Sequence, residues 1–322
     1  GLGDVYKRQR LVTQYWMKTR GLPNVALPHS LHEKYLWRKV LERDARYAIF
    51  SDKLLCKQYM AEHFPHVKCA KLLWQGTDIQ LAPATLLEKP GYLKANHSSG
   101  YNRRLGESSP DLQALHKMTQ GWLRRKWHRI HGEWGYKNVV PRLLIEEDVA
   151  SKASGHQLID LTVYVFGEVI SHIAVMSDHK TDEARFGRFD VLGNRLALCE
   201  YPTELMERLA RGPDAGEPRE LPNDFVLPDG FDDMLQLSRK IANGFDHLRV
   251  DFMWNGQSFY FSEITIYSQG GFVLYSDQDL LARMANSWDL RLSWLLTTPQ
   301  KGWRGLYASW LAKQLDIGEA GS

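Results

Sequence analysis

The chain has 322 residues, 43% of them hydrophobic and 25% charged, proportions that exclude a disordered or fibrous protein and suggest two domains or one large one. Lys and Arg (41) barely outnumber Asp and Glu (38), a net charge of +3, which argues against a nucleic-acid or anionic-membrane binder. The three cysteines, Cys56, Cys69 and Cys199, form no CxxC pair, so a disulfide framework or structural zinc site is not expected and a reducing, cytoplasmic setting is.

The stretch from Gly1 to Arg10 has no initiator methionine and no clear periodicity; it is read as truncated or non-native and set aside. Ser30 and Glu33 form a capping-box pattern ahead of Leu31, Tyr35, Leu36, Val40 and Leu41, which recur at helical spacing. Ser51 or Asp52 caps a second expected helix through Leu54, Leu55, Tyr59 and Met60. Strands are expected over Val67 to Trp74 and Gly91 to Ala95, then a helix carrying Leu112, Leu115, Met118 and Trp122 on one face.

From Val139 the pattern turns strand-like: Leu143 to Ile145, Leu158 to Phe166, and Val169 to Val175 beyond a Gly167-Glu168 turn. The longest apolar region, Leu158 to Met176, holds Asp160, Glu168 and His172 and is no membrane span. Residues 211–230 read as a loop, Phe231 to Ala242 as a helix closed by Gly244, and the last forty residues as helical and rich in Trp. Strands and helices mix without strict alternation, so the expected class is α+β.

The stretch from His247 to Thr265 carries the chemistry. Leu248, Val250 and Phe252 alternate with Arg249 and Asp251, and Ile264 sits between Glu263 and Thr265, two strands flanking Asn255-Gly256. An isolated hairpin of this kind ordinarily turns its charges to solvent. A two-residue turn would set Glu263 on the face opposite Asp251. An odd loop over Trp254 to Gly256, with Gly256 left-handed, puts Arg249, Asp251, Glu263 and Thr265 on one face and separates polar from apolar residues cleanly. The odd loop is the expectation. Two converging carboxylates need a cation between them, and oxygen ligands select a hard ion such as Mg²⁺, which also binds substrate phosphates. Positive charge for those phosphates is sought in Lys94, on a strand entering the small-residue loop His97, Ser98, Ser99, Gly100, and in Lys53 at the helix start.

In order and spacing these pieces resemble the TupA-like branch of the ATP-grasp superfamily, from about Leu22 to Leu315. The resemblance rests on Pro28-His-Ser-Leu-His-Glu-Lys34, Asp52-Lys53, Leu93-Lys94 with its loop, Gly132-Glu-Trp-Gly-Tyr136, Leu144-Ile-Glu-Glu147, Arg249-Val-Asp251 and Glu263-Ile-Thr265. It implies two α+β subdomains gripping ATP between antiparallel sheets, behind a short helical N-terminal region. The pieces would be 1–50 helical, 51–145 and 146–290 the two ATP-grasp halves, and 291–322 a helical extension. It further implies that Lys53, Lys94 and the loop His97 to Gly100 hold the ATP phosphates, and that Glu146, Glu147 and Asp160 lie along the nucleotide. Asp251, Glu263 and Thr265 would hold Mg²⁺, and Arg249 would face the transferred phosphoryl group. Where the family often has Asp-Tyr-Lys this chain has Asp160-Leu161-Thr162, and Ser98 replaces a common glycine.

The activity implied is ATP-dependent carboxylate–amine ligation in cell-surface polysaccharide or teichuronopeptide-like synthesis, with small-molecule or glycan carboxylates and amines as partners. Two other readings compete. Asp277-Gln-Asp279 is a DxD that would suit a metal-dependent glycosyltransferase. Trp122, Arg124, Arg125, Lys126, Trp127, Arg129 and Trp134 interleave as in single-strand binders, although such spacing more often packs a core.

Overall fold

The computed structural model describes residues 2–106, 110–150, 158–177, 184–197, 219–272 and 277–320. Cys199 and residues 211–218 of the expected loop lie outside them. The chain compacts into two units: residues 45–161 with 251–265, and residues 1–44 with 162–250 and 266–322. Both units are discontinuous in sequence.

The first helices are α1 (Leu2–Thr19), α2 (Leu31–Leu41), α3 (Arg46–Ser51) and α4 (Lys53–His63). Helix α1 extends through most of the stretch that the sequence reading set aside. The capping box of α2 forms in both directions, with Ser30 Oγ accepting from Glu33 N–H and the Glu33 carboxylate accepting from Ser30 N–H. Asp52, not Ser51, caps α4: its Oδ1 accepts from Leu54 N–H at 2.9 Å.

In the unit of residues 45–161 and 251–265, β1 (Leu72–Gly76), β2 (Gly91–Ala95), β3 (Asn102–Leu105) and β4 (Leu143–Glu147) form an antiparallel sheet ordered β1-β4-β2-β3. Strand β1 starts later than the sequence suggests; of residues 67–71 only Cys69 makes an isolated bridge, to Phe261. Leu93, Leu143 and Ile145 are buried to 0% exposure against Leu115, Ile79 and Leu87, and Met118 and Trp122 pack onto this core. Gly135 packs so closely on α3 that an added Cβ would lie 2.2 Å from Ser51 Oγ and 2.6 Å from the Tyr47 carbonyl.

The remaining strands are β5 (Ile159–Phe166), β6 (Val169–Ser177), β7 (Arg185–Phe189), β8 (Arg195–Leu196), β9 (Arg219–Glu220), β10 (Leu248–Trp254) and β11 (Phe259–Thr265). Their order is β11-β10-β5-β6-β7-β8, with β9 parallel to β7. The division between units falls within β5 and β10, after Leu161 and Val250. In the unit containing α2, a buried polar network anchors that helix. Arg38 meets Asp246 at 2.6 Å and donates to the Ile266 carbonyl, while Trp288 Nε1 donates to Asp246 Oδ2 at 2.7 Å. His247 lies 2.7 Å from both the Val165 carbonyl and Tyr35 Oη. A carbonyl only accepts, so Nδ1 carries the proton and Nε2 accepts from Tyr35; burial, then Arg38, holds the ring neutral.

Candidate active site

The site grows from the N-terminus of α4. Asp52 does two jobs: beside capping the helix, its Oδ1 accepts from Asn96 Nδ2 at 2.9 Å. Asn96 in turn donates to the Val140 carbonyl and accepts from Arg142 N–H at 2.7 Å. The start of the helix is thereby tied to the start of the β2–β3 loop, and Lys53, the first residue of α4, reaches over it. Its ammonium donates to the Ser98 carbonyl at 2.9 Å and lies 3.4 Å from Glu263 Oε2.

Around that pair the loop takes shape. His97 is buried with Nδ1 3.3 Å from Asn96 Oδ1, and burial, against nearby carbonyls of Arg125 and Trp122, lowers its pKa. Ser98 is buried, whereas Ser99 and Gly100 are exposed, Gly100 in the left-handed region at φ +76°. Glycine suits that conformation because a Cβ would strain it.

One strand position further in, Lys94 of β2 contacts Glu146 Oε2 of β4 at 2.6 Å, and Lys57 of α4 contacts Glu146 Oε1 at 3.0 Å. Burial disfavours the charge on both Lys94 and Glu146, but their mutual attraction overrides it: the ammonium pKa rises and the carboxylate pKa falls. Glu263 adds to the pull on Lys94. Three lysines and two glutamates from α4, β2, β4 and β11 thus share one electrostatic cluster. Glu147, the next residue of β4, turns its carboxylate to Lys71 N–H at 3.0 Å. Asp160 is half-buried on β5; burial, then Asp148, raises the pKa of nearby Tyr92, and Asp160 adds to it.

The β10–β11 turn departs from the expected loop. Gly256 is left-handed as foreseen, at φ +89°, yet the closing bond runs from Asn255 N–H to the Ser258 carbonyl. The Asn255 side chain shifts the turn by accepting from Gln257 and Ser258 N–H. Farther along β11, Phe261 donates its N–H to the Lys68 carbonyl, and burial falls on Phe261 and Ile264, three positions apart, rather than on alternate residues. Strict alternation would give residues 261, 263 and 265 a shared direction, so β11 is irregular between Phe261 and Ile264. Asp251 is 9% exposed on β10, and Glu263 and Thr265 are half-buried on β11. Among the described residues, no group of three His, Cys, Asp or Glu side chains forms a metal cage.

A family model described as TupA-like ATPgrasp matches residues 33–284, well over half of the chain. The chain belongs to the TupA-like ATP-grasp family. No curated protein matches it. Among solved structures it is similar to the D-alanine–D-alanine ligase of Helicobacter pylori, at 12% identity over 74% of this chain and 61% of that one, TM-score 0.37. The ligase of the same name from Bacillus anthracis gives 13% identity, 74% and 67% coverage and a TM-score of 0.39. The macrocyclase MdnC of Microcystis aeruginosa, solved with its precursor peptide MdnA, gives 12% identity, 77% and 63% coverage and a TM-score of 0.40. The chain spans 61% of the Helicobacter protein's length.

Within this TupA-like ATP-grasp chain, the structure brings Lys53, Lys94, Ser98, Glu146 and Glu263 together in one unit. Arg249, assigned to the other unit, bears electrostatically on Tyr35 and His247. The sequence reading missed Lys57 and Asn96. Lys57 carries a signal in hindsight, since it lies one helical turn beyond Lys53. Asn96 carries none, because its partners come from two distant segments, at Asp52 and at Val140 to Arg142. The competing motifs have structural occupations. Asp277 caps the helix Gln278–Ser287 by accepting from Leu280 N–H. Trp122 stacks on Tyr101 at 5.7 Å, and Arg125 Nε donates to the Tyr101 hydroxyl.

Proposed function

We propose that this protein is an ATP- and Mg²⁺-dependent carboxylate–amine ligase working through an acyl phosphate, serving cell-surface polysaccharide or teichuronopeptide-like synthesis on the cytoplasmic side. The observation that carries the reading is the meeting of Lys53 and Lys94 with Glu146 and Glu263, segments up to 210 residues apart, inside one unit of a TupA-like chain. Solvated surface lysines have no reason to gather so. No helix among the described residues is long and apolar enough to cross a membrane.

In the reaction, a substrate carboxylate oxygen attacks the γ-phosphorus of ATP, the bond to the ADP oxygen breaks, and ADP departs. An amine nitrogen then attacks the acyl carbon, the bond to phosphate breaks, phosphate and a proton leave, and an amide remains. Lys53 and Lys94 supply fixed positive charge to the phosphate oxygens, and the loop His97, Ser98, Ser99, Gly100 offers its backbone N–H groups. The strand end at Glu146 and Glu147, with Asp160, lines the nucleotide. Arg249 faces the phosphoryl group in transfer. Asp251 and Glu263, with Thr265, are an all-oxygen donor set that fits Mg²⁺, which takes one or two carboxylates and completes its shell with phosphate oxygens and water. The ion would neutralise phosphate charge there. Since the chemistry demands orientation and charge rather than a protein nucleophile, this set suffices.

The test is ADP release by the purified chain, screened over pairs of amino acids and uronic acids with and without Mg²⁺. Release that needs ATP, Mg²⁺, a carboxylate and an amine together supports the proposal. Binding of a nucleotide sugar in place of ATP would overturn it.

A further inference from the structure

Lys57 has no part in the binding set above, yet it is built into the cluster. Its ammonium donates to the Ala70 carbonyl at 2.6 Å and lies 3.0 Å from Glu146 Oε1, with 18% of the side chain exposed. Lys94, on the other oxygen of Glu146, is 24% exposed, and the carboxylate between them only 5%. A phosphate group arriving at Lys94 must compete with Glu146 Oε2. Were Lys94 the sole partner of Glu146, each ligand gain at Lys94 would leave a buried carboxylate uncompensated, an expensive outcome in a poorly hydrated site. With Lys57 fixed on the second oxygen by the Ala70 carbonyl, the carboxylate stays neutralised while Lys94 turns to the ligand.

We infer that Lys57 is a positioning residue that holds the charge of Glu146 so that Lys94 can exchange it for a nucleotide phosphate. The inference rests on the ATP reading above. It assigns Lys57 no contact with nucleotide: its effect on ATP passes entirely through Glu146, and that is what separates it from a third phosphate-binding lysine.

The experiment is a double-mutant cycle on the full chain, reading the Kd of ATP with Mg²⁺ by calorimetry for wild type, Lys57→Met, Glu146→Gln and the double variant, with a thermal melt of each. Lys57→Met should weaken ATP binding on the order of tenfold, in the range of coupling energies for contacting residues, and should have no further effect once Glu146 is Gln. Lys57→Arg should restore most of the affinity. An equal loss in both backgrounds would mean that Lys57 touches the nucleotide or merely supports the fold, and would overturn the inference. So would wild-type affinity in Lys57→Met. If Lys57→Met does not fold, Lys57→Gln, which keeps a donor for the Ala70 carbonyl, replaces it. Wild type failing to bind ATP at all would instead sink the ATP reading, an outcome visible before any variant is made.

Discussion

Glu263 is held at 3.4 Å by Lys53 with 37% of its side chain exposed, so the ion pair itself stabilises the fold little. Its proposed value lies in balancing the cation during phosphoryl transfer. Glu263→Gln keeps size and hydrogen-bonding capacity and removes the charge. The expected result is a fall in kcat on the order of 10²-fold, as for loss of a transition-state electrostatic contact. The melting temperature should barely move, since an exposed pair contributes about 1 kcal/mol or less. Normal turnover in a variant that melts early would make Glu263 a structural residue. Gly135 makes the opposite case. A methyl there would overlap the Ser51 hydroxyl and the Tyr47 carbonyl, and backbone cannot step aside as a side chain can. Gly135→Ala should lower stability by about 1 to 3 kcal/mol, read by denaturant melts.

Among the elements, α4 is where local sequence logic and the site meet. Asp52→Ala would remove the helix cap, typically about 1 kcal/mol, and leave the buried Asn96 amide without one partner. A stability loss beyond that of an ordinary cap is therefore expected, together with a raised KM for ATP, because both Lys53 and the loop lose their anchor. A loss confined to stability, with KM unchanged, would separate the cap from the site. The same helix shows what was legible in the sequence and what was not. Caps, the Ser30–Glu33 box and the left-handed Gly256 are decided within four residues, and the sequence displays them. The turn at Asn255 shifted because a side-chain amide displaced the backbone pattern, and β11 departs from alternation where Phe261, tied to the Lys68 carbonyl, and Ile264 are both buried. The Lys57–Glu146–Lys94 bridge joins residues 89 and 52 positions apart, and no periodicity announces such a pairing. Family resemblance, carried by several short motifs in order, pointed to Lys94 and Glu146 but neither to their pairing nor to Lys57.

The whole molecule records its buried charges in the pH dependence of its stability. Burial, then the charges of Arg188 and Arg283, lowers the pKa of His172 to about 3. Burial likewise holds His247 well below its ordinary value, and His97 below it. Each histidine holds a proton less readily when folded than when unfolded, so its contribution is complete above about pH 6.5 and is lost as pH falls. Glu42 works in the other direction. Burial, then the neighbouring Asp246 charge, raises its pKa to about 8 against the pull of Arg38. It is protonated when folded and ionised when unfolded above about pH 4.3, so its contribution is lost as pH rises toward 8. Between about pH 4.5 and 6.5 the unfolded chain gains more protons from the histidines than the folded chain keeps on Glu42, and stability should climb with pH. Above about pH 6.5 Glu42 dominates and stability should decline by up to about 1.4 kcal/mol per pH unit, until near pH 8 the loss of the proton on Lys34, whose pKa burial lowers to about 8, begins to offset it. The maximum therefore falls near pH 6.5, measurable by denaturant melts from pH 4.5 to 8. Glu42→Gln should turn the alkaline decline into a plateau, while His172→Phe should flatten the acid limb. A decline above pH 6.5 that persists in Glu42→Gln would mean that Glu42 is ionised in the folded protein, with Arg38 outweighing burial.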